Sequence, residues 1–257
     1  MKPLHTKCQH SRAIVLRHVD FRESDRVITV FTLEQGRMAG LAKGVRKSVR
    51  RFAGRLDLFS LVVLEHRDGR GELSHFERAD LLSAHLGIRS ELYRIAWASF
   101  LCELVERLYG EGEPHPEAFE VLEATLSYLD TAARVGEGPL RAAELRLLCE
   151  AGLQPELEAC AICRVGVESG RAFAFVVARG GLVCEHCQPS EQDEQVPAET
   201  IALLSAALFC PLEGLWRLPF GLREARGARS LLTSFVRHHV GERLRTASFL
   251  QELEVQG

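Results

Sequence analysis

The chain has 257 residues, 46% hydrophobic and 26% charged, with a formal net charge of −3. That length holds one large core or two to three small ones, and the composition is that of an ordinary folded protein rather than a disordered or fibrous one. No stretch reaches the roughly 18 uncharged apolar residues of a membrane span, and Met1–His10 lacks the apolar run of a signal peptide, so the expected compartment is the cytoplasm.

The net charge conceals an asymmetry. Residues 1–57 carry 13 Lys and Arg against 5 Asp and Glu, whereas the other 200 carry 19 against 30. A polyanion feels the local field of the first part rather than the average.

From Arg12 to Asp80 the pattern is short, β-rich and punctuated by turns. Ala13–Val19 reads as a first strand, Arg22–Asp25 as a turn, and the β-branched run Val27–Thr32 as a second strand. Glu34-Gln35-Gly36 leads into a third strand over Arg37–Lys43. Leu56–Glu65 gives a fourth, Asp68–Gly71 a turn, and Glu72–Arg78 a fifth. Five strands with no helical stretch among them predict a small closed barrel of the OB type, with an SH3-like barrel as the alternative.

From Leu86 onward the apolar period changes to 3.6. Helices are expected over Ser90–Tyr109, Glu117–Asp130 and Leu140–Ala151, with Pro139 in the first turn of the third and Gly152 ending it. Beyond a zinc module, a polar linker at Gln188–Gln195 precedes helices over Pro197–Phe209 and Arg226–Arg245. The predicted class is α+β and multidomain: a barrel over residues 1–82, a helical domain over 83–158, a zinc finger over 159–190 inserted in the helical region, and the rest of the helical domain over 191–257, with the two helical stretches packed together.

The inserted module is defined by Cys160-Ala-Ile-Cys163 and Cys184-Glu-His-Cys187. Two CxxC pairs at this separation are the pattern of a four-cysteine zinc site. Each CxxC turn places two thiolates on one side of a backbone knuckle, and two knuckles complete a tetrahedron about one Zn2+. Four protein ligands leave no open position, so the metal is expected to be structural and the protein not an enzyme. A zinc deaminase would carry a proline before its CxxC, and neither pair here has one. His186 is expected to be a bystander. Phe173–Val177 and Leu182–Val183 flank Ala178–Gly181 as a hairpin between the pairs. Arg164, Arg171 and Arg179 are expected to offset the charge of the metal centre. Cys102, Cys149 and Cys210 read as small core hydrophobes.

Between the third and fourth strands the chain is strongly basic. Arg37, Lys43, Arg46, Lys47, Arg50, Arg51 and Arg55 occur with no acidic residue among them. Phe52 sits in their midst, either as a ring on which a base could stack or as an anchor that tucks the loop against the barrel. Such a loop suits phosphate backbones, with binding that weakens steeply with salt. It lacks the Arg/Asn array on a recognition helix that base-specific readout requires.

The run Arg22-Glu23-Ser24-Asp25-Arg26-Val27, then Phe31-Thr32, Gly36-Arg37 and Ala42-Lys43-Gly44-Val45-Arg46, resembles the opening of the bacterial RecO family. The resemblance continues through Ala98–Leu108, Glu144–Leu148, Gly152–Pro155, the CxxC pairs, His239–Gly241 and Leu244–Leu253. It departs at Leu58, where a proline is frequent, and at Thr246, where a serine is common. It implies an OB-fold, a helical domain and a zinc finger ligated by the four cysteines. It also implies binding of single- and double-stranded DNA through the Lys43–Arg46 segment, and annealing of complementary strands. The partners it implies are RecR and single-stranded DNA-binding protein, with RecA loaded indirectly during gap repair and the protein associated with the nucleoid. The acidic, aromatic-ended tail of the single-strand binder calls for an apolar pocket with a basic rim, for which Arg134 and Arg141 are candidates in the helical domain.

Overall fold

The computed structural model describes residues 8–48, 50–69, 73–187, 195–241 and 244–256. They form two compact units, one of Met1–Ala132 with Leu244–Gly257, the other of Ala133–Arg243. The first unit holds the barrel together with the first two helices and the last one.

In the first unit, β1 (Gln9–Phe21), β2 (Asp25–Thr32), β3 (Gly36–Ala42), β4 (Leu61–Arg67) and β5 (Ser74–Ser83) close into a barrel of order β1-β2-β3-β5-β4. Neighbouring strands are antiparallel except β3 and β5, which run parallel from Gly40↔Ser74 to Ala42↔Phe76. This is the OB arrangement, and the parallel pair removes the SH3-like alternative. The interior follows the two-residue alternation of strands: Ala13 and Val15, Ile28 and Val30, Met38 and Ala42, Val62 and Leu64; on β5 a register shift between Phe76 and Arg78 sets the inward residues Phe76 and Ala79 three apart. Gly40 belongs to this packing, because a Cβ there would lie 2.2 Å from the Phe76 ring.

Two strands differ from expectation. The fourth begins at Leu61 rather than Leu56, because residues 50–59 form turns, with Phe59 at φ 69°. The fifth runs on to Ser83, and its expected start at Glu72, like Arg70 and Gly71 of the turn, lies outside the described residues.

Helices α1 (Leu92–Leu108) and α2 (Pro116–Thr131) cover part of the barrel's outer face. Phe31 on β2 meets Tyr109 at 5.2 Å and Phe119 at 6.1 Å between ring centroids. Arg12 on β1 pairs with Glu123 on α2 at 2.6 Å.

The second unit contains α3 (Glu137–Glu150), the two-stranded β6 (Phe173–Val176) and β7 (Gly181–Cys184), α4 (Ala198–Phe209) and α5 (Leu222–Val240). The helix α3 is buried on most sides, and its charged residues are accordingly paired: Arg141 lies 2.9 Å from Glu144 and 3.2 Å from Glu137. Burial raises the Glu144 pKa, against the pull of Arg141. Arg146 donates to the carbonyls of Ala207, Leu208 and Cys210 at 3.0–3.2 Å, capping the C-terminal end of α4. Cys102 is buried, whereas Cys149 and Cys210 are half-buried. Burial pushes the Cys149 thiol up to about 12.

The helix expected over Arg226–Arg245 runs instead from Leu222 to Val240. Gly241 takes φ 74° after Val240, a conformation that ends helices and favours glycine. A separate α6 (Arg245–Gln256) packs on α1 in the first unit. Its N-terminal end is held by Glu103 of α1, whose carboxylate accepts from Arg245 N at 2.9 Å, Thr246 N at 2.8 Å and Thr246 Oγ1 at 2.6 Å. Partial burial opposes the charged form of Glu103, but these donors prevail and hold its pKa below the usual glutamate range.

Glu103→Gln is therefore expected to destabilise the first unit by about 1 kcal/mol, the typical value of a capping interaction. Because the folded pKa is depressed, the stabilisation is complete above the ordinary glutamate pKa and is lost as pH falls through the lowered one. Urea unfolding of both proteins at neutral and acid pH checks this, with the difference between them shrinking on the acid side.

Candidate nucleic-acid interface and metal centre

The segment between β3 and β4 closes one end of the barrel. Its apolar residues Val45, Phe52 and Leu56 are buried in the barrel core, and Ala79 N on β5 donates to Arg51 O at 3.0 Å. With these positions turned inward, Lys43, Arg46, Lys47, Arg50 and Arg51 are all exposed.

The segment is also stitched to the β1–β2 turn. Gly44 N donates to Asp25 Oδ1 at 2.8 Å, Arg46 N to Ser24 O at 3.2 Å, and the Arg46 guanidinium to Glu23 O at 3.3 Å. The two loops thus form one surface, with Arg22, Arg26 and the five loop cations against Asp20, Glu23 and Asp25. The Arg46–Asp20 and Lys47–Glu23 approaches, at 3.8 and 3.9 Å, are solvent-exposed and so contribute little stability. The Arg51 guanidinium donates to Lys43 O at 2.8 Å and lies over the Phe52 ring.

Three of the expected contact residues are committed elsewhere. Phe52 is fully buried, which corrects its reading as a base-stacking ring: the barrel end needs a large apolar side chain, and Phe52 fills it. Arg37 is directed to Tyr109 O at 3.0 Å and Glu111 at 3.3 Å. Arg55 is directed to Ala79 O at 2.9 Å and Asp80 at 3.1 Å.

In the second unit the four expected ligands come together. Arg164 N donates to Cys160 O at 2.9 Å and Cys160 N to Val165 O at 2.8 Å, forming the first knuckle. Ala161 N donates to Leu182 O at 2.7 Å, fixing that knuckle to the strand that ends at Cys184. The Sγ atoms of Cys160, Cys163, Cys184 and Cys187 lie within 4.8 Å of one another, and those of Cys163 and Cys184 are 3.6 Å apart. A tetrahedron with metal–sulfur bonds of roughly 2.3 Å has edges of about 3.8 Å, so the donor set fits one metal ion.

Burial opposes ionisation of Cys160, but backbone N–H groups, including Cys184 N at 3.4 Å and Ile162 N at 3.5 Å, bring its pKa down to about 6. The neighbouring Cys163 sulfur pushes Cys187 up to about 12. Crowded thiolates of this kind require a cation to be charged together.

His186 is exposed, 3.9 Å from Glu185. Arg164, expected to offset the metal centre, pairs with Glu156 at 2.6 Å. Among the described residues, no other set of three or more His, Cys, Asp or Glu side chains is gathered for a metal. The two His-x-Glu sequences, His75–Glu77 and His115–Glu117, thus do not contribute to one. Cys8 donates to Glu65 at 3.0 Å.

The family model for the recombination protein O N-terminal region matches residues 7–85, and that for the C-terminal region matches residues 89–247. The chain belongs to the RecO family. It is 40% identical to the DNA repair protein RecO of Anaeromyxobacter sp. (strain Fw109-5), over 93% of this chain and 94% of that protein. It is 38% identical to that of Myxococcus xanthus (94% and 96%), and 33% identical to that of Syntrophotalea carbinolica (95% and 94%). The RecO N-terminal match spans the barrel with its basic loop, and the C-terminal match contains all four cysteines.

Two surface residues escaped the sequence reading. Phe21 is 43% exposed and carries the Arg22 guanidinium 5.2 Å from its ring centroid. Phe21 ends β1, beyond the strand expected to stop at Val19, and Arg22 opens the turn; the alternation Arg17, Val19, Phe21 places the ring on one strand face.

Phe52→Ala is expected to cost about 3–5 kcal/mol of stability, as for a large buried aromatic, measured by denaturant unfolding. Phe52→Leu keeps most of that stability and leaves oligonucleotide affinity unchanged; a stacking ring would give the opposite pattern, with stability intact and affinity lost.

Proposed function

We propose that this RecO-family protein grips phosphodiester backbones through the β3–β4 loop, pairs complementary strands, and with RecR assists loading of RecA onto DNA coated by single-stranded DNA-binding protein during gap repair. The observation that carries this reading is the set of five exposed cations, Lys43, Arg46, Lys47, Arg50 and Arg51, on a loop whose apolar residues are anchored in the barrel.

A fixed array of cations replaces condensed counterions along a strand, and the release of those ions drives binding irrespective of sequence. Holding two strands beside one positive surface lowers the repulsion between their backbones, which is the main electrostatic barrier to pairing. The protein need not turn over a substrate for this.

The four cysteines suit Zn2+, which when bound supplies a cross-link between the two knuckles. Thiolates select soft or borderline metals, and four of them fill a tetrahedral shell with no position left for water. Zinc thus serves the fold of the second unit.

Arg141 cannot rim a pocket for the single-strand binder's tail, because it is buried between Glu137 and Glu144. A groove of about 640 Å³ in the second unit has a more suitable make-up, with Val177, Pro197 and Leu231 beside the exposed Arg223 and Arg226.

Replacing the five loop cations together by alanine is expected to weaken binding of both single-stranded and duplex oligonucleotides. It should also reduce the salt slope on single strands by about 3.5, at 0.7 per phosphate contact. Anisotropy titrations over a salt series measure this, and a fluorescent-strand annealing assay, with and without single-strand-binder coating, should show a parallel loss. Unchanged affinity at low salt would place the contact surface elsewhere.

Elemental analysis is expected to find one zinc per chain. Cys184→Ser or a strong chelator should remove it, lower the Tm and abolish amide protection over residues 160–187.

A further inference from the structure

The end of the barrel that carries the basic loop also carries an apolar surface, formed by the outward sides of three adjacent strands. Val19 on β1 pairs with Val27 on β2, and Val27 with Leu41 on β3, so the three side chains form one row across the sheet. Phe21 follows on the same face of β1, two residues beyond Val19. Val19 is 49% and Phe21 43% exposed, while Val27 and Leu41 are half-buried. Farther along these strands the same outer face is covered by Tyr109 and Phe119, packed on Phe31. Around Phe21 it is open.

The border of this surface carries more cations than carboxylates: Asp25 stands opposite Phe21 on β2 and bonds Gly44 N, and Glu23 lies in the turn near Lys47. Arg22 lies over one side of the Phe21 ring. It holds a left-handed backbone at φ 62°, uncommon for a residue with a side chain. Lys43 follows directly after the end of β3 and is exposed, as are Arg46 and Lys47 on the loop bonded to this turn.

We infer that Phe21, with Arg22 and the Val19–Val27–Leu41 row, is a stacking platform for unpaired bases, and that it makes this end of the barrel favour single strands over duplex. The inference rests on the proposed phosphate-binding role of the adjacent loop and adds to it a means of telling the two forms of DNA apart. An aromatic ring next to a cationic track is the combination by which single strands are held without sequence preference, and in OB-folds the β2–β3 face and the β1–β2 loop are where such strands lie. Duplex bases are stacked on one another and cannot offer their faces to Phe21 without being pulled apart. Phosphates reach the loop equally from either form. The ring therefore contributes to one binding mode and the loop to both.

The test compares wild type, Phe21→Ala, Phe21→Trp and the five-alanine loop variant, using labelled oligo-dT and a labelled duplex of equal length at low salt. Phe21→Ala is expected to weaken oligo-dT binding by about tenfold, the equivalent of about 1.4 kcal/mol. Duplex affinity should stay within about twofold and the salt slope should not change, because no phosphate contact is lost. Phe21→Trp should restore oligo-dT affinity, and its added indole emission should be quenched by oligo-dT and not by duplex. Equal losses on oligo-dT and duplex, or no loss on either, would overturn the platform, the latter leaving the apolar face to a protein partner. A loop variant that binds both ligands as wild type would overturn the phosphate-binding reading instead, whatever Phe21→Ala does.

Discussion

The arrangement of the basic surface depends on how the barrel is closed. A small closed sheet leaves an open end, and the chain between β3 and β4 fills it with Val45, Phe52 and Leu56. Between them Arg46, Lys47, Arg50 and Arg51 face water. Lysine and arginine at these positions therefore emerge as a cluster rather than a scatter. Burial of the apolar residues fixes the backbone, so the cations need little further ordering to meet a phosphate chain; a free loop with the same charges would lose more conformational entropy on binding. The exposed charges thus depend on a hydrophobic contact that none of them makes.

The second unit uses a different device. Its β-structure is two four-residue strands, β6 and β7, too small a sheet to be stable alone. The cysteine pairs clamp its two ends to the chain before and after it, and Ala161 N to Leu182 O joins the first knuckle to the hairpin. A tetrahedral metal needs no large core, which is why such a module can be short. Along α3 the constraint is reversed. That helix is so enclosed that its charges are tolerated only as a bonded group, Arg141 with Glu144 and Glu137. Removing Arg141 would strip the buried Glu144 of its cation, whereas removing Glu144 leaves Arg141 with Glu137.

What could be read in the sequence was what depends on short range. Two-residue alternation gave the strands, and CxxC spacing gave the ligands, because both are imposed within a few residues. The barrel type was ambiguous until the parallel pairing of Gly40–Ala42 with Ser74–Phe76, a contact between distant segments. The expected end at Arg245 lies five residues past the true end at Val240, and the helix that starts at Arg245 depends on a distant partner, Glu103 of α1, which caps it. The basic loop was found as a group, but its members could not be sorted. Arg37 and Arg55 are set apart by backbone carbonyls of Tyr109 and Ala79, and no local pattern encodes these. Phe52 and Phe21 show the same limit in opposite directions. The aromatic residue amid the cations is in the core, and the one at an apparently ordinary turn is in water.

The overall acidity of the chain does not oppose a role at DNA. At physiological salt, charges separated by more than about 8 Å are largely screened, so carboxylates distributed over the remaining residues add little to the potential at the loop. The acidic neighbours that do matter are Asp20, Glu23 and Asp25, and each has a local part in the structure. Asp25 anchors Gly44 N, Asp20 bonds Arg26 at 2.7 Å, and Glu23 lies 3.9 Å from Lys47. They hold the two loops together and leave a cationic excess. Exposed pairs of this kind are worth no more than about 1 kcal/mol, so an arriving phosphate can take over the cation without a large penalty. An interface of weakly engaged charges on a rigid frame binds readily and also releases readily, as a protein must if it brings two strands together and then leaves them paired.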